Sequence, residues 1–186
     1  MSLPTTAPTI RPARPGDVPA IVAMVHELAD YEQAADRCGL TPAQLDTALF
    51  GPAPALFGHV AVDDADQPVG FALWFLNFST WAGVHGIYLE DLYVRPAWRG
   101  TGAGRALLAT LAGICVERGY RRLEWWMLAW NPAARFYASI GAEPMTEWVP
   151  YRLDGRALHG LAAEGVTSAT RLSARPGRVP DRGDEA

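Results

Sequence analysis

Lysine is absent from this chain; all sixteen of its basic residues are arginine. A Walker A phosphate loop needs a lysine, so that nucleotide chemistry is excluded at the outset. Cysteine is scarce as well. Cys38 and Cys115 lie far apart and make no disulfide framework, and Cys115 falls on an apolar helical face where a buried reduced thiol is expected. The four histidines, at 26, 59, 85 and 159, have no metal spacing among themselves or with the cysteines, so no metal is expected. No apolar run approaches the roughly 18 residues of a membrane-spanning helix. Nor is positive charge in excess: a net charge of −4, with no basic patch interleaved with aromatics, leaves no footprint for nucleic acid. The N-terminus lacks a charged-then-apolar leader pattern. A cytoplasmic location is the expectation.

What is present fits one domain of 186 residues with ample apolar content for a core. A Pro/Thr-rich arm over 1–8 precedes a short strand near 10–13. Asp17 is placed to cap a helix whose apolar face is Ile21, Val22, Val25, Leu28 and Ala29. Thr41-Pro-Ala-Gln44 is a capping box that opens a second helix ending at Gly51. Strands are expected over 56–62 and 69–78, joined by the turn 63–68 as a hairpin. A further strand begins near Gly86, and a long helix after it stops at Gly119. Another strand spans 122–128, a short helix 133–139, and a last strand 147–153. A weaker segment covers 157–172, and the tail 173–186 has the composition of a disordered segment. The resulting order, β-α-α-β-β-β-α-β-α-β, describes one mixed α/β domain over 9–172.

The organising stretch is Tyr88-Leu-Glu-Asp-Leu-Tyr-Val-Arg95 followed by Arg99-Gly-Thr-Gly-Ala-Gly104-Arg105 and the periodic run Leu107, Leu108, Leu111, Ile114, Cys115. Alternation along a strand places only one of Glu90 and Asp91 on a given face. Glycines leading into a helix N-terminus expose backbone N–H groups and the positive end of a dipole, which together hold phosphate. A dinucleotide fingerprint fails, because the third glycine of G-x-G-x-x-G falls on Arg105 or Leu107. An ordinary glycine-rich turn is the alternative.

R-G-x-G-x-G after a strand ending V-R-P resembles the pyrophosphate-binding motif of the GNAT superfamily of N-acetyltransferases, which cradles coenzyme A. Over about three-quarters of the chain the sequence is similar to the spermidine/spermine N1-acetyltransferase branch. The matching stretches are Ile10-Arg-Pro-Ala, Glu27-Leu-Ala-Asp-Tyr-Glu32, Val69-Gly-Phe-Ala72, Tyr88-Leu-Glu-Asp91, Arg99–Gly104, Trp130-Asn131, Phe136-Tyr137 and Gly141-Ala142. The resemblance implies a GNAT fold: a mixed, mostly antiparallel sheet, flanked by helices and split in a V between the fourth and fifth strands, where acetyl-CoA sits. It also implies a homodimer. One departure stands out. Polyamine-acetylating members carry Asp-Pro-Trp before the organising strand, whereas this chain has Ser79-Thr80-Trp81. That triplet resembles the thialysine acetyltransferases, which prefer a lysine-like amine.

By resemblance, the backbone of Gly100, Thr101, Gly102, Ala103 and Gly104, helped by Arg99 and Arg105, holds the pyrophosphate. Leu92, Tyr93 and Val94 supply the oxyanion N–H at a bulge and pair with the pantetheine, and Asn131 and Ala133 add contacts. Surface arginines are the alternative for Arg99 and Arg105. A lysine-like amine near pKa 10.4 is mostly protonated at neutral pH, so a carboxylate must hold the ammonium and take its proton. Glu90 is the first candidate and Asp91 the structural alternate. Tyr137 is the general-acid candidate that protonates the coenzyme thiolate; a core aromatic beside Phe136 is its other reading. Tyr31 and Glu32 match family substrate contacts. Trp81, Glu124, Trp125 and Trp126 are candidates for the acceptor pocket, although Glu-Trp-Trp also suits a half-buried strand. Glu147 is a weak candidate. The expected activity is transfer of acetyl from acetyl-CoA to the primary amine of a small cation of the thialysine, lysine, diamine or polyamine kind. An antibiotic amine, a protein N-terminus, or a non-catalytic acyl-CoA-binding module are the competing readings.

Overall fold

A computed structural model of the protein describes residues 8–173, with side chains through residue 165. The arm before Pro8 and the tail after Ser173 lie outside the described residues. Chain order is β1 (Thr9–Pro12), α1 (Val18–Tyr31), α2 (Pro42–Phe50), β2 (Phe57–Val62), β3 (Pro68–Ser79), β4 (Val84–Val94), α3 (Ala103–Glu117), β5 (Leu123–Glu124), α4 (Ala134–Ser139) and α5 (Gly155–Ser173). The five strands lie side by side in sequence order. The first four pair antiparallel and β5 joins β4 in parallel, as a helical crossover through α3 requires.

Period-two alternation sorts the strand residues onto two faces. Val60, Val62, Phe71, Leu73 and Tyr93 pack under α1 and α2 with Ile21, Met24 and Leu45. Ala61, Ala72, Trp74, Ile87 and Leu89 pack under α3 with Leu107, Leu108 and Leu111. Each large aliphatic or aromatic side chain buried this way stabilises the fold by about 1.5–3 kcal/mol. The middle of the sheet is thus covered on both faces.

The capping box forms as expected: the Thr41 hydroxyl accepts from the Gln44 N–H, and Gln44 Oε1 accepts from the Thr41 N–H at 2.9 Å. Asp17 does something else. It is already helical and caps nothing in α1; its buried carboxylate accepts two hydrogen bonds from Arg11, at 2.7 and 3.0 Å, and one from the Arg14 N–H at 2.7 Å. An arginine from the edge strand outcompetes the helix end for that carboxylate.

Three expectations are corrected downstream. The strand expected over 122–128 shrinks to Leu123–Glu124, because β4 runs beside it only at Ile87 and Tyr88. No strand forms over 147–153. Pro150 removes a ladder donor there, and Trp148, Val149, Tyr151 and Leu153 are exposed. The weaker segment over 157–172 is instead one continuous helix, α5. The described residues form two compact units meeting between Ile140 and Gly141. The sheet and α1–α4 belong to the first, and α5 to the second.

Candidate active site

The loop before α3 meets the demands of an anion cradle. Gly100 and Gly102 adopt φ of 81° and 90°, a left-handed backbone that suits glycine. Gly102 is the N-cap of α3, and no side chain caps that end. Among the described residues, no acceptor takes the backbone N–H groups of residues 100 to 105. The first turn of a fifteen-residue helix therefore presents open donors and the positive end of its dipole to whatever occupies the loop. Arg99 is fastened here: its Nε donates to the Val94 carbonyl at 3.0 Å, and its guanidinium lies 5.3 Å from the Tyr31 ring centre and 5.6 Å from that of Tyr93. Those two cation–π contacts tie the loop to the end of α1, a link that spacing alone does not reveal. Arg105 is exposed, Ala103 is buried, and Thr101 donates to the Trp98 carbonyl at 2.7 Å.

Beyond Tyr88, β4 continues through Val94 with no partner on its β5 side among the described residues. The two strands part company, and that edge of β4 lies open to an extended ligand. The bulge expected at Leu92, Tyr93 and Val94 sits earlier. Asp91 pairs with Leu73 and Leu89 with Trp74, so Glu90 is the extra residue, whereas Leu92, Tyr93 and Val94 keep a regular ladder with Ala72, Phe71 and Gly70. The insertion turns Glu90 to solvent and brings Asp91 onto the α1 face with Leu73 and Tyr93. Burial pushes the Asp91 carboxyl up to about 6, and the neighbouring charges of Glu90 and Glu32 push the same way. Tyr137, on α4, has its ring between Trp125 at 4.8 Å and Phe136 at 5.3 Å. Burial, then the charge of Glu32, raises its phenol above the ordinary value, so it keeps its proton at neutral pH. Tyr31 also packs against Trp130, the rings tilted by 49° with centroids 5.9 Å apart.

Comparison with known proteins follows the same lines. Residues 21–142 match the acetyltransferase (GNAT) family. The chain belongs to that family. A thialysine N-epsilon-acetyltransferase from Bos taurus is 34% identical over 168 residues, covering 83% of this chain and 97% of its own. An L-ornithine N5-acetyltransferase from Arabidopsis thaliana is 28% identical, covering 86% of this chain and 93% of its own. Among solved structures, an integron cassette protein from the mobile metagenome of V. cholerae superposes with a TM-score of 0.70 at 28% identity, covering 84% of this chain and 98% of its own.

This GNAT protein is an N-acetyltransferase, and members of the family use acetyl-CoA. The cradle fits that co-substrate: open N–H groups at the α3 N-terminus, two left-handed glycines, and an unpaired strand edge leading away from them. Asn131 is half committed, since its Oδ1 accepts from the Ala133 N–H at 3.0 Å. Its Nδ2 donors and the second lone pair of Oδ1 remain to meet a ligand, while the Ala133 N–H is taken up in that bond. Glu124 is not a free anion: Asn77 Nδ2 donates to its Oε1 at 2.6 Å, and Arg122 Nε lies 3.2 Å from its Oε2. Trp126 packs edge-on against Tyr88, which stacks on Phe75. Trp81 sits in the β3–β4 turn, 92% exposed, and Glu147 is exposed in the second unit.

Proposed function

We propose that the protein acetylates the primary amine of a small cationic acceptor, of the thialysine, lysine, ornithine or diamine kind, by direct attack in a ternary complex. The observation that carries this reading is a half-buried carboxylic acid on β4 whose carboxyl is pushed up to about 6, beside an open strand edge, with a protonated phenol under the influence of the same glutamate. The coenzyme thioester supplies the acetyl group. Asp91, rather than the solvent-facing Glu90, takes the proton of the ammonium; a base pushed up to about 6 is better matched to that task than an ordinary carboxylate. Glu90 and Glu32 add the negative field that draws the cation in. As the new C–N bond forms and the C–S bond breaks, the Tyr137 hydroxyl donates its proton to the departing sulfur, and the second proton shed by the acylated nitrogen passes to solvent, from which the phenol is restored. The loop of residues 99 to 105 anchors the diphosphate, and Tyr31 borders the acceptor. The names of the thialysine and ornithine relatives support the class of acceptor. A cytoplasmic homodimer is part of the proposal, supported by two unpaired cysteines and by the exposed Trp148, Val149 and Tyr151, which a second subunit would cover.

The test is thiol release from acetyl-CoA against thialysine, lysine, ornithine, putrescine and spermidine, with wild-type protein and Tyr137→Phe. The variant is expected to lose about 10²–10⁴-fold in kcat, the usual contribution of a general acid, while binding coenzyme A as before. Equal rates in both proteins would remove Tyr137 from the chemistry. No turnover of any amine would overturn the reading.

A further inference from the structure

Past Asp91 the α1 face of the sheet carries a row of aromatic and polar side chains. Because β3 has no extra residue over 73–77, Leu73, Phe75 and Asn77 share that face, and their partners across β3–β4 are Asp91, Tyr88 and Gly86. β5 adds Glu124 beside Tyr88, and Trp126 closes against the Tyr88 ring. The row therefore begins at a carboxylic acid, runs over the stacked Phe75 and Tyr88, and ends where Asn77 meets Glu124. From the row of Leu73 to the row of Asn77 are two pleat repeats, about 13 Å. That span suits an extended amine-bearing chain with a hydrogen bond at each end.

The far end has a definite construction. Arg122 and Glu124 lie side by side as an ion pair at 3.2 Å, their side chains 39% and 43% exposed. The Arg122 backbone is fixed by its carbonyl, which accepts from the Ile87 N–H at 3.0 Å and from the Cys115 thiol at 3.6 Å. Gly86 makes the arrangement possible: a Cβ there would stand 2.7 Å from both Arg122 Cγ and Asn77 Oδ1. Two polar atoms of this cluster, Asn77 Oδ1 and Arg122 Nε, are buried without a hydrogen bond. The cluster is thus assembled over a glycine floor and left unfinished in its own bonding. Its charge is dipolar, one cation beside one anion. A second ammonium of a diamine or polyamine arriving here finds Glu124 already neutralised and Arg122 repelling it. A group that is itself dipolar finds both partners.

We propose that Arg122 and Glu124 receive the α-carboxylate and α-ammonium of a free basic amino acid whose side-chain amine lies at Asp91. This rests on the reading of the site as an N-acetyltransferase of small amines, and it narrows the acceptor to amino acids over their decarboxylated counterparts. The Arg122 guanidinium binds the carboxylate through its terminal nitrogens, while Glu124, kept in place by Asn77, accepts from the ammonium. Arg122 and Glu124 are specificity-determining residues; neither touches the reacting atoms.

The experiment compares kcat/KM for L-lysine and L-ornithine with that for cadaverine and putrescine, in wild type, Arg122→Met and Glu124→Gln. Wild type is expected to favour each amino acid over its decarboxylated counterpart by about 10- to 100-fold, the effect of one or two charge-assisted hydrogen bonds. In Arg122→Met the ratio should fall to near one through KM. A merely structural role would lower both values and keep the ratio. Glu124→Gln, which is isosteric, carries the same test should Arg122→Met fail to fold. A preference for the diamines in wild type, or a ratio that neither variant moves, overturns the proposal. Turnover of other amines but of neither lysine nor ornithine overturns it alone, whereas no turnover of any amine removes the underlying function as well.

Discussion

Replacing Asp91 with asparagine should make the protein more stable and nearly inactive, and the gain in stability should depend on pH. The folded chain pushes this carboxyl from 3.8 up to about 6, by burial first and then by Glu90 and Glu32. The difference of about 2 pKa units corresponds to about 3 kcal/mol, an upper figure for what ionising this group in place costs the folded state at neutral pH. The sign follows from proton counts. Below about pH 4 both folded and unfolded chains hold the proton, so the penalty is absent. Between about pH 4 and 6 the unfolded chain ionises first, and stability falls as pH rises. Above about pH 6 the penalty is complete. Asparagine keeps the shape and carries no charge.

Urea unfolding of wild type and Asp91→Asn at pH 7.5 and pH 4 is the assay. The variant should be more stable by about 2–3 kcal/mol at the higher pH and close to wild type at the lower one. In parallel, kcat/KM of the wild type should decline as pH drops below about 6, while the variant should be slow throughout and lack that limb. A variant that is less stable at pH 7.5, or whose gain is the same at both pH values, would refute the argument. Asp91 would then be held by partners rather than strained by burial.

Two further outcomes follow from the same geometry. Gly102→Ala places a side chain on a backbone with φ of 90°, at a cost of about 1–2 kcal/mol; calorimetric titration should show weaker coenzyme A binding, since the strain falls on the anion cradle. Asp17→Asn breaks a buried contact in which burial pushes the carboxyl pKa up but the hydrogen bonds from Arg11 and the Arg14 N–H carry it lower overall. Its contribution is present above the ordinary carboxylate range and is lost as pH falls through the depressed value. The substitution should therefore destabilise the fold by about 3–5 kcal/mol at neutral pH, measured by urea unfolding, with a smaller effect in acid.

The order of β1 to β4, both long helices and the anion loop were legible because their signals are local: alternation, capping residues, and glycines at a helix start. Glu124 shows where such reading stops. Beside Trp125 and Trp126 it reads as an acidic pocket residue, but nothing local shows that Arg122 and Asn77, the latter forty-seven positions away, hold its carboxylate. The segment 147–153 has strand-like residues and yet no strand, since a strand exists only where a neighbour offers a ladder. Asn131 likewise reads as a ligand contact from its motif, and the motif does not show that its Oδ1 also accepts from the Ala133 N–H in the turn before α4.

The bulge in β4 joins these observations. Had β4 been regular, Leu73 would oppose Glu90, and Asp91 would oppose Ala72 on the α3 face, against Leu107 and Leu111. An unpaired carboxylate there would be costly and far from any acceptor. The extra residue shifts the parity of everything after it, and the sequence carries the trace: the α3-facing apolar positions are 87 and 89 before the carboxylates and 92 and 94 after them. A change from odd to even across two acidic residues is what one inserted residue produces. The same shift that keeps Leu92 and Val94 against α3 delivers Asp91 to the α1 face and turns Glu90 to water. One backbone irregularity thus places two adjacent carboxylates in different surroundings, Asp91 half-buried on the α1 face with its carboxyl pushed up to about 6 and Glu90 exposed.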